Sequence, residues 1–158
     1  MEPQWKTKAR REASQYHMCE EYRTALERSS TKAELVSLYK RCVDWALDEG
    51  MPTLTLLREE YTDCGKYGLF IDRTFNGELL CDDTVYIFHN CKGTINIDLN
   101  VEKAIIPMLY FANECEMTIK RLAESQVGTI QVPLYIFGAN KIITENTDFV
   151  NFKIYKEK

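Results

Sequence analysis

The chain has 158 residues, of which 45% are hydrophobic and 28% are charged, as in folded globular proteins rather than disordered ones. Its 20 Lys and Arg residues and 24 Asp and Glu residues give a formal net charge of −4. The charges are spread evenly along the chain, whereas proteins that bind nucleic acid usually have a concentrated basic face. We therefore expect a folded protein whose partners are not DNA or RNA.

The N-terminal segment and the apolar stretches determine the expected location. The first residues are polar and lack the apolar region of a secretory signal. The longest apolar stretch, residues 104–112, is interrupted by Pro107 and is too short to cross a bilayer. Six cysteines are spread along the chain without a C-x-x-C motif, which favours packed thiols over disulfides or metal ligands. The sequence thus predicts a cytoplasmic protein without a membrane segment.

Residues 1–65 are predicted to form a helical segment of three helices. Residues 2–28 contain good helix formers without Gly and, after Pro3, without Pro, which predicts one long amphipathic helix. Its first part carries a basic cluster of Lys6, Lys8, Arg10 and Arg11. Because Glu2 and Glu12 flank this cluster, we interpret it as a solvated helix face rather than as a phosphate site.

The second and third helices are indicated by their ends. Thr31 and Glu34 have the spacing of a capping box, and Gly50 supplies the stop of the helix that they begin. Thr53 can cap a third, short helix that continues to Tyr61.

Residues 66–83 are predicted to be a hairpin or connector. Asn76 and Gly77 stand between apolar residues, and Asn-Gly is the strongest short signal for a tight hairpin turn. We expect a hairpin or a bulged turn there.

Residues 84–158 are predicted to be a region of repeated short strands. The expected strands are 85–89, 94–99, 105–111, 117–122, 129–137, 141–144 and 149–155. Three of their segments are alike when aligned on Phe88, Phe111 and Phe137, which lie 23 and 26 residues apart. A period of this length holds two strand-turn units, which make one coil of a parallel β-solenoid.

The predicted fold class is therefore α+β, with N-terminal helices followed by a short parallel β-solenoid. The turns would contain Asn90, Asn113 and Asn140, because Asn tolerates left-handed backbone. The helical segment would cover one open end of the coil. An antiparallel β-sandwich or meander fits the same strand spacing, and Pro107 and Pro133 would remove hydrogen-bond donors from predicted strands.

Four segments resemble uncharacterised small proteins of Bacteroidetes phages and mobile elements. They are Cys-Val-Asp-Trp-Ala at 42–46, Gly-Met-Pro at 50–52, Lys-Tyr-Gly-Leu-Phe-Ile-Asp at 66–72 and Asn-Cys-Lys-Gly-Thr-Ile-Asn-Ile-Asp at 90–98. The resemblance implies a helical head followed by a β-solenoid, in a virion component or a protein made inside a bacterial host. It implies no catalytic, cofactor-binding or metal-binding residue.

Two pairs of His and Cys residues are candidates for a metal site or a catalytic dyad. His89 and Cys91 are two residues apart in a predicted strand and would share a face, with Cys81 ten residues before Cys91. This spacing matches no zinc signature, so we predict packed side chains and no metal. His17 and Cys19 would lie about 200° apart around a helix and form no dyad.

The function predicted from these features is a non-catalytic protein-interaction module encoded by a phage or mobile element. It would be a virion component or a host-directed regulatory or anti-defence protein, with a protein partner and self-association into a homo-oligomer. No cofactor is predicted. The alternative is a carbohydrate-active enzyme or carbohydrate-binding module, in which Asp82, Asp83 and Asp98 would be arrayed on a solenoid face.

Overall fold

The structure is a computed structural model that describes residues 2–15, 17–41, 68–81, 83–99, 106–121, 130–145 and 150–157. The chain divides into two compact units, Met1–Tyr67 and Gly68–Lys158. Within the described parts, helices lie in the first unit and parallel strands in the second, so the class is α+β. The predicted end of the second helix at Gly50 and the predicted third helix lie outside the described residues.

The first unit contains α1 (Gln4–Gln15), α2 (Glu20–Arg28) and α3 (Lys32–Arg41) among the residues described. The prediction of one helix over residues 2–28 is wrong, because the backbone of His17 is left-handed with φ of 52°. The Met18 N–H donates to the Ala13 carbonyl at 2.9 Å and the His17 N–H donates to the Ser14 carbonyl at 3.3 Å. These two bonds form a Schellman motif, which closes α1 without a glycine.

The start of α3 confirms the predicted cap. The backbone N–H of Glu34 donates to the Thr31 hydroxyl oxygen at 3.2 Å, so one of the free donors of the first turn is satisfied. The Glu34 carboxylate accepts from the Thr31 hydroxyl at 3.3 Å. No helix within the described ranges is long and apolar enough to cross a lipid bilayer.

Helices α1 and α2 are linked by an ion-pair network centred on Arg10. The Arg10 guanidinium donates to the carboxylates of Glu2 and Glu27, with Nη1–Oε2 and Nη2–Oε2 distances of 2.9 Å. Lys6 Nζ donates to the backbone carbonyl of Glu27 at 2.6 Å. Two members of the predicted basic cluster are therefore used within the helical unit.

Acid should weaken this network. The hydrogen bonds from Arg10 hold the pKa of Glu2 and the pKa of Glu27 below their usual values. A depressed carboxyl pKa adds stability that is present above the unfolded pKa of about 4.3 and is lost as pH falls through the folded pKa. The thermal midpoint of Arg10→Gln should therefore fall less between about pH 6 and about pH 3 than the thermal midpoint of the unmodified chain does.

The control for that comparison is Arg11→Gln, which removes a neighbouring exposed charge of the same helix. It should retain the acid sensitivity of the unmodified chain. An Arg10→Gln profile that matches the Arg11→Gln profile would contradict the assignment of the acid sensitivity to the Arg10 network.

The second unit contains strands that alternate between two sheets. Its strands are β1 (Leu69–Ile71), β2 (Thr74–Cys81), β3 (Val85–His89), β4 (Lys92–Leu99), β5 (Met108–Ala112), β6 (Glu116–Arg121), β7 (Ile130–Phe137), β8 (Lys141–Thr144) and β9 (Val150–Glu157). The first sheet has the order β1-β3-β5-β7-β9 and the second has the order β2-β4-β6-β8. Every pair in both sheets is parallel, so the antiparallel sandwich or meander is wrong.

Inward phenylalanines fix the register of the first sheet. Phe70 lies opposite Phe88, and Phe88 lies opposite Phe111. Both pairs of rings are stacked with centroids 5.1 Å apart. The predicted third member, Phe137, is wrong by one residue: Phe111 lies opposite Ile136, so the step between these strands is 25 residues rather than 26.

The opposite side of the first sheet repeats this register with tyrosines. The rings of Tyr110, Tyr135 and Tyr155 are stacked, with successive centroids 4.7 and 5.0 Å apart. Stacks on both sides of one sheet show that β5, β7 and β9 keep their side-chain alternation along the whole series.

The predicted hairpin at residues 66–83 is wrong. Asn76 and Gly77 lie inside β2, opposite Thr94 and Ile95 of β4. Parallel pairing with β4 keeps β2 extended, and the chain turns instead at Asp72, where φ is 55°. The parallel strands described in this unit therefore begin at β1.

A left-handed residue follows each of the strands β1, β3, β5 and β7. These residues are Asp72, Asn90, Asn113 and Gly138, with φ of 55°, 54°, 60° and 78°. The prediction is confirmed for Asn90 and Asn113. At the fourth corner Gly138 takes the left-handed position, while the Asn140 side chain accepts a hydrogen bond from the Cys115 N–H at 2.8 Å.

The two prolines lie where the ladders can tolerate them. Pro107 precedes β5, which begins at Met108. Pro133 lies within β7 opposite Lys153, one residue before the pairing with β5 begins at Leu134. Its missing N–H therefore falls outside the β5–β7 ladder.

The core of the second unit lies between the two sheets. Inward residues of the first sheet, such as Phe88 and Leu109, pack against inward residues of the second, such as Ile95 and Ile119. Gly93 is required where β4 passes β2, because its φ is 111° and an added Cβ would lie 1.9 Å from the Phe75 carbonyl oxygen.

Replacing this glycine should therefore open the pairing of β2 with β4. Gly93→Ala should lower the free energy of unfolding by about 3 kcal/mol, because the colliding atom belongs to the backbone. The matched control is Gly77→Ala, since an added Cβ at Gly77 meets nothing within 4 Å. Denaturant unfolding of both variants should separate them, and equal effects would contradict the close approach at Gly93.

Candidate interaction surface

The structure does not bring the predicted His and Cys pairs together as sites. Asn90 is left-handed, so β3 ends at His89, while Cys91 turns into the core between the sheets. The prediction that His89 and Cys91 share a strand face is therefore wrong. His17 lies in the turn after α1 and Cys19 is the N-cap residue of α2, so neither lies inside a helix.

Two buried thiols pack one above the other at successive corners. The Cys91 N–H donates to Cys115 Sγ at 3.3 Å. The Cys91 thiol donates to the Phe70 carbonyl at 3.4 Å, and the Cys115 thiol donates to the Phe88 carbonyl at 3.4 Å. The contact with Cys115 and burial raise the pKa of the Cys91 thiol. Both sulfurs thus serve as core atoms with satisfied hydrogen bonds.

The rate at which each cysteine is alkylated should depend on the burial of its thiol. Iodoacetamide has to reach a sulfur to react with it, and the Cys91 and Cys115 side chains are fully buried. In the native chain, iodoacetamide should modify exposed Cys19 well before buried Cys91 and Cys115. Peptide mass mapping should show labelling of the two buried thiols only after guanidinium unfolding. Native labelling of Cys91 at the rate of Cys19 would contradict the packing described here.

Of the three candidate carboxylates, Asp83 serves local structure. The Asp83 carboxylate accepts a hydrogen bond from the Thr84 N–H at 2.7 Å, and the Asp83 N–H donates to the Tyr86 hydroxyl oxygen at 3.0 Å. Asp98 lies on β4 opposite Leu80, and Asp82 lies outside the described residues. Among the residues described, no group of three or more His, Cys, Asp or Glu side chains could hold a metal ion.

The outer face of the second sheet is polar and regular. We define it as the side chains of β2, β4, β6 and β8 that alternate with the buried ones, together with Glu145, which directly follows β8. In register order, its four rows are Thr74-Lys92-Glu116-Lys141, Asn76-Thr94-Thr118-Ile143, Glu78-Asn96-Lys120 and Leu80-Asp98. This face follows from the strand period of two, because Ile95, Met117 and Ile119 occupy the inward positions.

Charges of opposite sign alternate across this outer face. Lys92 lies opposite Glu116, which lies opposite Lys141. Lys120 Nζ lies 3.5 Å from Glu145 Oε1, and the Glu145 N–H donates to the Ile119 carbonyl, which extends the β6–β8 ladder by one residue. Opposite charges on adjacent strands favour this register and leave no strong field of one sign.

Apolar exposure is concentrated on the strands at the ends of the sheets. Among the described residues, four large hydrophobic side chains are exposed. Leu80 of β2 is 51% exposed, Ile143 of β8 is 63% exposed and Ile154 of β9 is 41% exposed. Ile106, which is 51% exposed, is the fourth and precedes β5. The first and last strands of the second sheet and the last strand of the first sheet thus each carry an exposed apolar residue.

The last strand of each sheet also forms its edge. Among the described strands, β8 pairs with β6 alone and β9 pairs with β7 alone. An edge strand offers a row of backbone donors and acceptors to another strand. The sequence contains a signal for this site, since Ile142 and Ile143 are adjacent and a strand with one solvated face buries only one of them.

No protein-family model matches the chain, and no curated protein or solved structure does either. Its function has to be inferred from its own surfaces.

Proposed function

We propose that the chain is a non-catalytic protein-interaction module whose second unit is a short parallel β-solenoid that self-associates through its terminal strands. The observation that carries this proposal is the exposure of Ile143 and Ile154 on the two last strands. Surface apolar residues that combine with a free strand edge favour contact with another chain.

The topology supports the solenoid. The chain passes from a strand of the first sheet through a left-handed corner to a strand of the second sheet, and it repeats this path with parallel neighbours. Each such coil buries its inward side chains only when another coil stacks on it. Such a stack has two ends, and a further chain can extend it there.

The uses of the candidate reactive groups support a non-catalytic role. Cys91 and Cys115 donate to core carbonyls. Asp83 holds a turn, and Arg10 joins two helices. Each of these groups has a structural task that explains its presence without a reaction.

The proposed partner is a protein, either a second copy or a different chain. The resemblance to phage and mobile-element proteins adds the proposal that this different chain is a virion protein or a bacterial host protein. The proposed location is the bacterial cytoplasm or the virion.

Self-association is tested by light scattering coupled to size exclusion over about a hundredfold range of protein concentration. The mass should rise above the 18.5 kDa of one chain as concentration increases. Ile143→Ser and Ile154→Ser should each weaken the association, because each removes apolar area from a terminal strand.

The matched control is Ile106→Ser, which removes an exposed isoleucine that lies on neither terminal strand. It should leave the association unchanged. A chain that stays monomeric at every concentration would overturn the self-association, and equal effects of all three substitutions would overturn its assignment to the terminal strands.

A further inference from the structure

We propose that a second copy of this chain pairs with β8 in antiparallel orientation about a twofold axis at Ile143. In this arrangement Lys141 lies opposite Glu145 of the second copy, and Ile143 lies opposite Ile143 of the second copy. The inference rests on the proposed self-association and names the edge and the register that produce it.

Among the described strands, none pairs with the side of the β8 backbone that points away from β6. The Lys141 N–H donates to the Cys115 carbonyl at 2.8 Å, and the Glu145 N–H donates to the Ile119 carbonyl at 3.0 Å. Because backbone groups alternate sides along a strand, those of Ile142 and Thr144 point away from β6. These are the groups that another strand would bind.

Antiparallel pairing about Ile143 satisfies these groups in both copies. Ile142 lies opposite Thr144 of the second copy and exchanges two hydrogen bonds with it, and the twofold axis repeats the exchange. Ile143 then occupies a non-hydrogen-bonded position, where opposite residues approach most closely, at a Cα separation of about 4.5 Å. Contact between the two copies of Ile143 would bury the most exposed large hydrophobic side chain among the described residues, which is 63% exposed.

The charges of the outer face fit the same register. The row Lys92, Glu116, Lys141 alternates in sign, and Glu145 of the second copy takes the next place. In the row that contains Lys120, Lys120 Nζ lies 3.5 Å from Oε1 of Glu145, the last residue of the row in one chain. Lys141 of the second copy takes the next place in this row. Both rows therefore continue their alternation across the interface.

Neighbouring registers lose this complementarity. A twofold axis at Ile142 places Lys141 opposite Ile143 and leaves Glu145 beyond the pairing. An axis at Thr144 places Ile143 opposite Glu145. Of these three axes, only the axis at Ile143 places isoleucine opposite isoleucine and opposite charges on either side of them. The reason is that the segment Lys141-x-Ile143-x-Glu145, read in the reverse direction, presents an acidic residue to each basic one.

This self-complementarity selects a second copy over an unrelated extended peptide. A peptide of another protein would have to supply a basic, an apolar and an acidic residue at alternate positions. A second copy supplies them by symmetry.

Charge reversal with mixing tests the register. Lys141→Glu places two carboxylates together at both ends of the interface, and Glu145→Lys places two ammonium groups there. Each variant alone should weaken self-association by roughly tenfold. An equimolar mixture of the two should restore it, because both contacts across the interface of the mixed dimer again join opposite charges. A disturbed fold would not be rescued by mixing.

The matched control is Lys92→Glu, which reverses an exposed lysine in the same row but away from the edge. It should not change the association. Circular dichroism of all variants reports whether the fold is retained.

A cross-link provides a test that does not depend on the charge variants folding. In a Cys19→Ser background, Ile143→Cys should give a disulfide-linked dimer on mild oxidation, and Ile106→Cys should not. Association of the unmodified chain that resists both charge reversals and shows no such cross-link would overturn the register alone. An unmodified chain that is strictly monomeric would overturn the proposed self-association as well. Association with a different protein alone would assign the β8 edge to another partner.

Discussion

The second unit depends on the left-handed corner that follows each of the strands β1, β3, β5 and β7. At Asp72, Asn90, Asn113 and Gly138 the backbone leaves the extended region and redirects the chain into the second sheet. Residues of successive corners also bind each other: the Asn90 side-chain amide donates to the Asp72 carboxylate at 2.8 Å. Without this turn a strand would continue in its own sheet, and no core could form between two sheets.

The corner determines which side chains point into the core and stack there. Phe70, Phe88 and Phe111 stack because each stands two residues before a left-handed turn. Cys91 enters the core because it follows one of these turns, although alternation from His89 would place both on one face. Sequence spacing inside a strand is thus a poor guide to side-chain direction once a left-handed residue intervenes.

Much of the architecture could be predicted from periodicity and turn residues. Strands 85–89 and 141–144 have the predicted bounds, and Thr31 caps a helix as expected. Position 17 was missed because a histidine carries no strong stop signal, although its neighbours supply the Schellman bonds. Asn76-Gly77 was misread because the turn preference of two residues is weaker than eight positions of pairing with β4. Phe137 was misplaced because the alignment matched aromatic residues, whereas Phe111 pairs with Ile136 and Phe137 pairs with Ala112.

The candidate surface was less accessible to sequence reasoning. Exposure of Ile143 depends on which of two adjacent isoleucines faces the core, and that choice is made by the register of β6 with β8. The alternating charges of Lys92, Glu116 and Lys141 become a row only after three separate strands are placed side by side. The proposed continuation of this row across a twofold axis links the fold to the proposed function, because the charges that align strands within one chain would also align two chains.

Amide hydrogen exchange at β8 tests the central claim most directly. The Lys141 and Glu145 amides bind carbonyls of the same chain, so their protection should not depend on protein concentration. The Ile142 and Thr144 amides should gain protection as concentration rises, because only a second chain can bind them in the arrangement described. Ile142 and Thr144 amides that exchange at the same fast rate at every concentration would contradict the pairing of β8 with a second copy.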